Sequence, residues 1–229
     1  MFNFLEKLCG TIGRGPVSER KHRAELRYWT KRKRAEGTLE NTHFKRYYTT
    51  LFDLEPESYT GKRILDVGCG PRGSLEWATM AAERVGLDPL ADSYLELGAS
   101  AHEMSYVNAN SEEIPFADGH FDVVCTFNCL DHVNDLDETI DELIRVLAPG
   151  GLLLLLTDLN HEPTECEPIT FSWDVVELFK PSLSLLWEKH FEKSQPGLYQ
   201  SLDAGVVYDH DMPGKRYGVL AAKFHKAHA

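Results

Sequence analysis

Several residues in this 229-residue chain have types and spacing suited to chemistry. In Asp66-Val67-Gly68-Cys69-Gly70-Pro71-Arg72-Gly73 a carboxylate precedes a glycine-rich turn. Glycines let a backbone come close to a ligand and adopt conformations closed to other residues. Read literally, Gly68-x-Gly70-x-x-Gly73 is the dinucleotide fingerprint, in which a pyrophosphate sits over a helix N-terminus. Asp66 argues against that ligand, because a carboxylate two residues before the first glycine repels pyrophosphate and suits an ammonium or a hydroxyl. Asp88 follows 22 residues later, at the spacing where a carboxylate accepts hydrogen bonds from both hydroxyls of a ribose. Its plainer reading is a helix cap beside Pro89. Asp131 next to His132 places an imidazole, which titrates near neutrality, beside a carboxylate, so His132 is the first candidate for a general base and His161 the second. A lone histidine at a strand end more often serves structure. Asp209-His210-Asp211 reads as a polar turn rather than a metal site, since neighbours on a loop point different ways.

These residues need strands to bring them together. Arg63 to Val67 is a first strand, and Ser74 can cap a helix carrying Leu75, Trp77, Ala78 and Ala81, whose first N–H groups would face a ligand. Arg84 to Asp88 is a second strand, ended by Pro89, which favours a new helix start. Ser105 to Asn108 is a third. Phe121 to Phe127 is a fourth, so nearly all apolar that it belongs at the centre. Asp135 and Glu138 resemble a capping box, before a helix lined on one side by Leu136, Ile140, Leu143, Ile144 and Leu147. Pro149-Gly150-Gly151 stops it, and Leu152 to Thr157 is the fifth strand. A helix from Ser172 to Phe179 and extended segments near Leu183–Trp187 and Tyr217–Phe224 complete the chain. Alternating strands and helices predict an α/β fold with a parallel sheet covered on both faces. Ligands of such sheets bind beyond the carboxyl ends of the strands. Asp66–Gly73, Asp88, Asn110 with Ser111, Asn128–His132 and Asp158–His161 all lie at those ends.

Residues 1–58 read as an N-terminal helical extension or lid, and 59–229 as the main domain. Ser18 can cap a helix that Gly37 stops. It is charged almost all round, which predicts weak attachment. Phe44, Tyr47, Tyr48, Leu51 and Phe52 form one apolar helical face. That face either packs on the domain edge or closes over the ligand, which would put His43 and Tyr47 or Tyr48 near substrate.

The chain's net charge is −12, yet residues 1–50 hold 12 lysines and arginines against 5 acidic residues. An acidic body is a poor nonspecific nucleic-acid binder, and the basic arm reads mainly as a solvated helix face. Its charge mildly favours an anionic acceptor such as a nucleotide-linked sugar. No apolar run reaches the roughly 18 residues a membrane span needs. Phe2, Phe4, Leu5 and Leu8 are interrupted by polar residues without a cleavage pattern, so a cytoplasmic protein is expected. Five cysteines without CxxC pairing predict reduced thiols, and Cys125 and Cys129, four apart, should share one side of a strand with no completed zinc set nearby. No metal is expected.

The chain resembles the class I S-adenosylmethionine-dependent methyltransferases of the small single-domain, type 11-like kind. Four segments in order carry the likeness over roughly residues 60 to 160: Ile64 to Gly70, Gly86-Leu87-Asp88-Pro89, Asn110 to Phe116 leading to Phe121-Asp122-Val123-Val124, and Arg145 to Gly151. The resemblance implies a Rossmann-like doubly wound sheet, mostly parallel with an antiparallel C-terminal strand and helices on both faces. It implies S-adenosylmethionine as cofactor and a small-molecule acceptor with an oxygen or nitrogen nucleophile. In that family pattern Gly68, Cys69 and Gly70 pass close to the methionine part of the cofactor. Asp66 holds its ammonium, and Asp88 with Pro89 meets the ribose. Asn110 and Ser111, where many relatives carry Asp and Ala, meet the adenine edge, and Asn128 borders the acceptor entrance. His43, Tyr47, Arg72 and Asp131 are candidates for the acceptor pocket. Arg72 stands where relatives often have a third glycine; it either solvates the helix start or pairs with a cofactor carboxylate or an anionic acceptor. A homodimer is left open. The competing readings are an NAD-dependent oxidoreductase, which lacks a Tyr-x-x-x-Lys and room for a substrate domain, and a noncatalytic cofactor-binding relative.

Overall fold

The structure, a computed structural model, describes residues 17–41, 44–164 and 166–228. Seven strands form one sheet: β1 (Arg63–Val67), β2 (Glu83–Leu87), β3 (Ser105–Val107), β4 (Phe121–Phe127), β5 (Leu147–Leu159), β6 (Ser184–Glu192) and β7 (Gly218–His225). Their order is β3-β2-β1-β4-β5-β7-β6. The first five pair in parallel, and β7 runs antiparallel to both β5 and β6. β6 therefore runs in the same direction as β1–β5, and β7 is the one antiparallel strand of the sheet, as expected of the C-terminal strand. The order reverses between β1 and β4, which sets a crevice at their carboxyl ends.

The apolar run of β5 reflects a sheet covered on both faces. Leu153, Leu155 and Leu159 feed one core layer, with Val124, Leu143, Val146 and Phe179. Leu154 and Leu156 feed the other, with Tyr48, Phe52, Leu75, Cys125 and Leu202. Successive residues on a strand point to opposite faces, so a strand buried twice must be apolar at every position. On the first face lies a helix, Leu136–Val146, whose N-cap Asp135 accepts from the Glu138 N–H as the capping-box pattern predicts.

Several expected elements differ. After the glycine turn, residues 74–82 form turns rather than a helix, because Ser74 spends its hydroxyl on Asp66 instead of on a helix cap. The segment expected as helix from Ser172 is a 3-10 helix, Trp173–Leu178. The aromatic face is split between a short helix, Lys45–Tyr48, and a 3-10 turn, Thr50–Phe52. Leu198–Ala204 forms a helix with no strong signal beforehand. Cys129 lies past the end of β4, so it shares no strand face with Cys125. The reduced-thiol expectation holds for Cys69, Cys125 and Cys129 but fails at Cys166, which is disulfide-bonded. Among the described residues no helix is long and apolar enough to cross a membrane. Cys9, the Phe2–Leu8 stretch and His43 lie outside the described residues.

The N-terminal helix, Val17–Glu36, here α1, is more firmly held than its charge suggests. Trp29 packs with Leu90, Tyr94 and Ala99, Tyr94 donates to Glu25 at 3.0 Å, and Arg72 grips Glu36 with two contacts of 3.0 and 2.7 Å. Glu25, Trp29 and Glu36 lie on one stripe of the helix, four and then seven residues apart. Ser18, expected as the cap, is already inside the helix.

Candidate active site

The crevice begins at β1. Gly68 and Gly70 take φ of 75° and 59°, a region favouring glycine. A Cβ on Gly68 would lie 2.5 Å from the Cys129 sulfur, so the turn after β1 and the segment after β4 meet without room for a side chain. The NH of Gly68 donates to Leu87 O at 2.8 Å, which ties the turn to β2.

Asp66 is only 2% exposed. Its Oδ2 accepts from Tyr48 at 2.9 Å and from Ser74. Burial pushes its carboxyl up to about 6, against the pull of those two hydroxyls. Asp88 is 5% exposed. It accepts from Leu90 N at 2.9 Å and from Gly70 N at 3.3 Å. Burial raises its carboxyl, and the Glu25 carboxylate of α1 adds to the rise. Two buried carboxylates thus flank one glycine turn with hydroxyl and amide donors only. Asp66 Oδ2 already accepts twice, which leaves its Oδ1 to offer, and each Asp88 oxygen accepts once and has a further lone pair. An ammonium and a vicinal diol are the groups that would complete them, so the donor set fits S-adenosylmethionine.

Beyond Asp88 a groove of about 850 Å³ is lined by Pro89, Asn108, Asn110, Ile114, Glu142 and Arg145, with His22 of α1 at its border. Arg145 braces this side by donating to the carbonyls of Ile114 at 2.8 Å and Phe116 at 2.7 Å. Ser111 is buried and pairs with Thr139 at 3.0 Å. Its hydroxyl is engaged within the protein, which leaves Asn110 as the member of the pair that borders the groove.

At the ends of β4 and β5 a second polar cluster forms. Asn128 turns the chain with φ 53° and donates its backbone NH to Leu156 at 2.8 Å. The 3-10 turn Leu130–His132 follows. His132 Nε2 stands 3.7 Å from Asp131 Oδ1 and 3.7 Å from Glu167. His161 Nε2 stands 3.7 Å from the other Asp131 oxygen. The His161 Nδ1 faces the Glu162 carbonyl at 3.0 Å. A carbonyl only accepts, so Nδ1 carries the proton and Nε2 presents its lone pair. That Nε2 is buried without a hydrogen-bond partner. Lys193 pairs with Asp158 at the end of β5. Burial raises the Glu167 carboxyl.

The structure thus brings Asp66, Gly68, Cys69, Gly70, Asp88, Pro89 and Asn110 to one crevice, and Asn128, Asp131, His132 and His161 to its neighbouring end. It does not bring Arg72 or Tyr47 there as acceptor contacts. Arg72 is tied to Glu36 and the Glu40 carbonyl and lies 5.4 Å from the Trp29 ring. Tyr47 donates to Asp203 at 2.7 Å and stacks near Tyr199; burial and that carboxylate push its hydroxyl up to about 12. Its neighbour Tyr48 reaches the crevice instead. Tyr48 was one of the two tyrosines the sequence offered near the ligand, whereas Glu25, Trp29, Ser74 and Glu167 were not legible as site residues. Only Glu167 carried a signal, sitting in the irregular stretch after His161.

Residues 65–155 match a family model described as a methyltransferase domain. The chain is 31% identical over 128 residues to the chloroplastic tocopherol O-methyltransferase of Arabidopsis thaliana, covering 52% of this chain and 37% of that protein. It is 36% identical over 112 residues to the ubiquinone/menaquinone biosynthesis C-methyltransferase UbiE of Vibrio vulnificus, covering 42% of this chain and 41% of the relative. The chain therefore spans less than half the length of these curated relatives. Among solved structures, a putative methyltransferase from Bacillus halodurans superposes with a TM-score of 0.56 at 18% identity, over 82% of this chain and 100% of that one. The fold is one shared with solved methyltransferases, and the matched segment is that of a methyltransferase domain. The dinucleotide reading falls with them, and the absence of a helix after Gly73 removes the N-terminus on which a pyrophosphate would rest.

Proposed function

We propose that this chain transfers a methyl group from S-adenosylmethionine to an oxygen or nitrogen nucleophile of a small acceptor held beside Asp131, His132 and His161. The observation that carries the reading is the pairing of Asp66 and Asp88, two buried carboxylates on adjacent strand ends bridged by the glycine turn. When bound, the cofactor supplies a sulfonium-activated methyl, so the protein's part is alignment and exclusion of water. Asp66, held by Tyr48 and Ser74, takes the ammonium; Asp88 takes the ribose hydroxyls; Asn110 borders the base. α1 covers this end through Glu25 and Trp29, and we assign residues 17–58 the role of a lid.

For an oxygen acceptor the proton goes to His161 rather than His132. The His161 Nε2 lone pair is unpartnered, whereas His132 is divided between two carboxylates. The curated relatives' names cover both O- and C-methylation and leave the acceptor atom to experiment.

Calorimetric titration with S-adenosylmethionine, S-adenosylhomocysteine and NAD tests the cofactor: the two sulfur ligands bind and NAD does not. No binding of either sulfur ligand overturns the reading. Transfer of labelled methyl to a panel of hydroxyl and amine acceptors then separates an enzyme from a silent cofactor-binding relative.

A further inference from the structure

Three side chains beside the crevice are spaced as ligands of one ion and not as a hydrogen-bonded network. His132 Nε2 lies 3.7 Å from Asp131 Oδ1 and 3.7 Å from Glu167 Oε1, and one ligand atom from each residue lies within 4.8 Å of the other two. At such separations no hydrogen bond forms. An ion with bonds of about 2.1 Å sets its ligands roughly 3.4 Å apart at a tetrahedral angle and further apart at wider angles. The two 3.7 Å separations from His132 fall in that range.

Burial supplies the independent observation. The Asp131 side chain is 2% exposed, yet its Oδ1 has no hydrogen-bond partner. An unpartnered carboxylate oxygen withdrawn from water is costly unless a cation meets it. Among the described residues no lysine or arginine pairs with it. Lys193 is held by Asp158. Lys21, attracted by Glu25, Asp131 and Glu112 together, makes no ion pair among the described residues. His161 Nε2 stands 3.7 Å from the other Asp131 oxygen, beyond hydrogen-bond distance.

We propose that Asp131, His132 and Glu167 bind a divalent first-row transition-metal ion of the Zn²⁺ or Mn²⁺ kind. One imidazole and two carboxylates match borderline and hard dications, not soft ones. Three protein ligands leave positions for water or an acceptor oxygen. The ion's part in holding an acceptor rests on the methyl-transfer reading; the site itself does not. It departs from the expectation of no metal, because Glu167 comes from a distant loop that sequence spacing does not tie to His132.

The test uses the whole chain, stripped with EDTA and titrated with Zn²⁺ and with Mn²⁺ by calorimetry, with bound Mn²⁺ read by electron paramagnetic resonance. One ion per chain is expected, with the dissociation constant raised at least about tenfold in His132→Gln and in Glu167→Gln. His210→Gln, which alters the 2.8 Å His190–His210 pair at the surface, leaves binding unchanged. Because a variant can fail to fold, Mn²⁺ broadening of the His132 ring signals in the unmutated protein gives the same answer. No stoichiometric binding, undiminished binding in both site variants, loss in His210→Gln, or metal bound without broadening of His132 would each overturn the site. S-adenosylmethionine is titrated into the same samples. Cofactor binding without metal sinks only the ion; metal binding without cofactor sinks the methyl-transfer reading and leaves the ion.

Discussion

Tyr48 donates its hydroxyl to Asp66 Oδ2 at 2.9 Å, so the carboxylate at the end of β1 is oriented from outside the strand-and-helix repeat. Tyr48 comes from the short helix Lys45–Tyr48 and stacks 4.6 Å from Phe127 at the end of β4. One side chain thereby joins the extension to the site.

That contact makes Tyr48→Phe informative. A buried hydrogen bond to a charged group is worth about 1.5–3 kcal/mol. Its loss pushes the Asp66 carboxyl further above the value of about 6 that burial already imposes. Cofactor affinity, which needs the ionised carboxylate, is expected to rise with pH through the Asp66 titration and then level. In Tyr48→Phe this rise moves to higher pH by about one unit. Calorimetric dissociation constants from pH 5 to about 8.5 read the shift; coincident curves for the two proteins would remove Tyr48 from the site.

The same burial makes the ligand-free fold sensitive to pH. Asp66 goes from an ordinary value of 3.8 to about 6 on folding, so the folded chain holds its proton more tightly than the unfolded chain does. Its contribution to stability is whole below the unfolded value and is lost as pH rises through the folded one. Asp88 is raised in the same direction. Asp66→Asn, which still accepts from Tyr48, is expected to stabilise the ligand-free protein at pH 8 by about 1–3 kcal/mol while abolishing stabilisation by cofactor. Melting curves with and without S-adenosylmethionine measure both effects. A variant less stable than the parent at that pH contradicts the account.

The strand ends at Asp66, Asp88 and Asn128 were legible from different marks: the glycine turn after β1, Pro89 after β2 and the nearly unbroken apolar run of β4. β4 and the helix after Asp135 fell where periodicity and capping put them. The helix expected after Gly73 was not there, since Ser74 faces a carboxylate that its own sequence neighbourhood does not reveal. The site was legible where its chemistry lies within one segment, as at Asp66 and Asp88. It was not legible where distant segments complete it: Tyr48 on Asp66, Glu25 near Asp88, Glu167 on His132. Long-range pairs of this kind leave no spacing rule in a single chain.

Arg72 holds the extension down. Its guanidinium meets both Glu36 oxygens and lies against Trp29, whose ring covers Gly70 with a contact of 3.6 Å to the position a Cβ would take. Arg72→Gln is expected to loosen α1 and speed cofactor release, raising koff about threefold to tenfold while the sheet keeps its stability. Hydrogen exchange over residues 17–36 should rise in the same variant. Unchanged exchange there would mean that Trp29 and Glu25 suffice to hold the helix.

Arg145 acts at the groove beyond Asp88. Its guanidinium donates to two carbonyls, Ile114 and Phe116, and pairs with Glu142 and Asp118, a forked pattern that a lysine ammonium cannot copy. Those carbonyls belong to the loop that runs from Asn110 to β4 and walls the groove. Arg145→Lys is therefore expected to resemble Arg145→Met rather than the parent. In both, the dissociation constant for S-adenosylmethionine rises on the order of tenfold, or about 1.4 kcal/mol. The effect should persist for adenosine alone, which touches only this end, and should be weak for methionine alone. Competition experiments with the two fragments read that split; rescue of adenosine binding by lysine would show that charge, and not the fork, braces the loop.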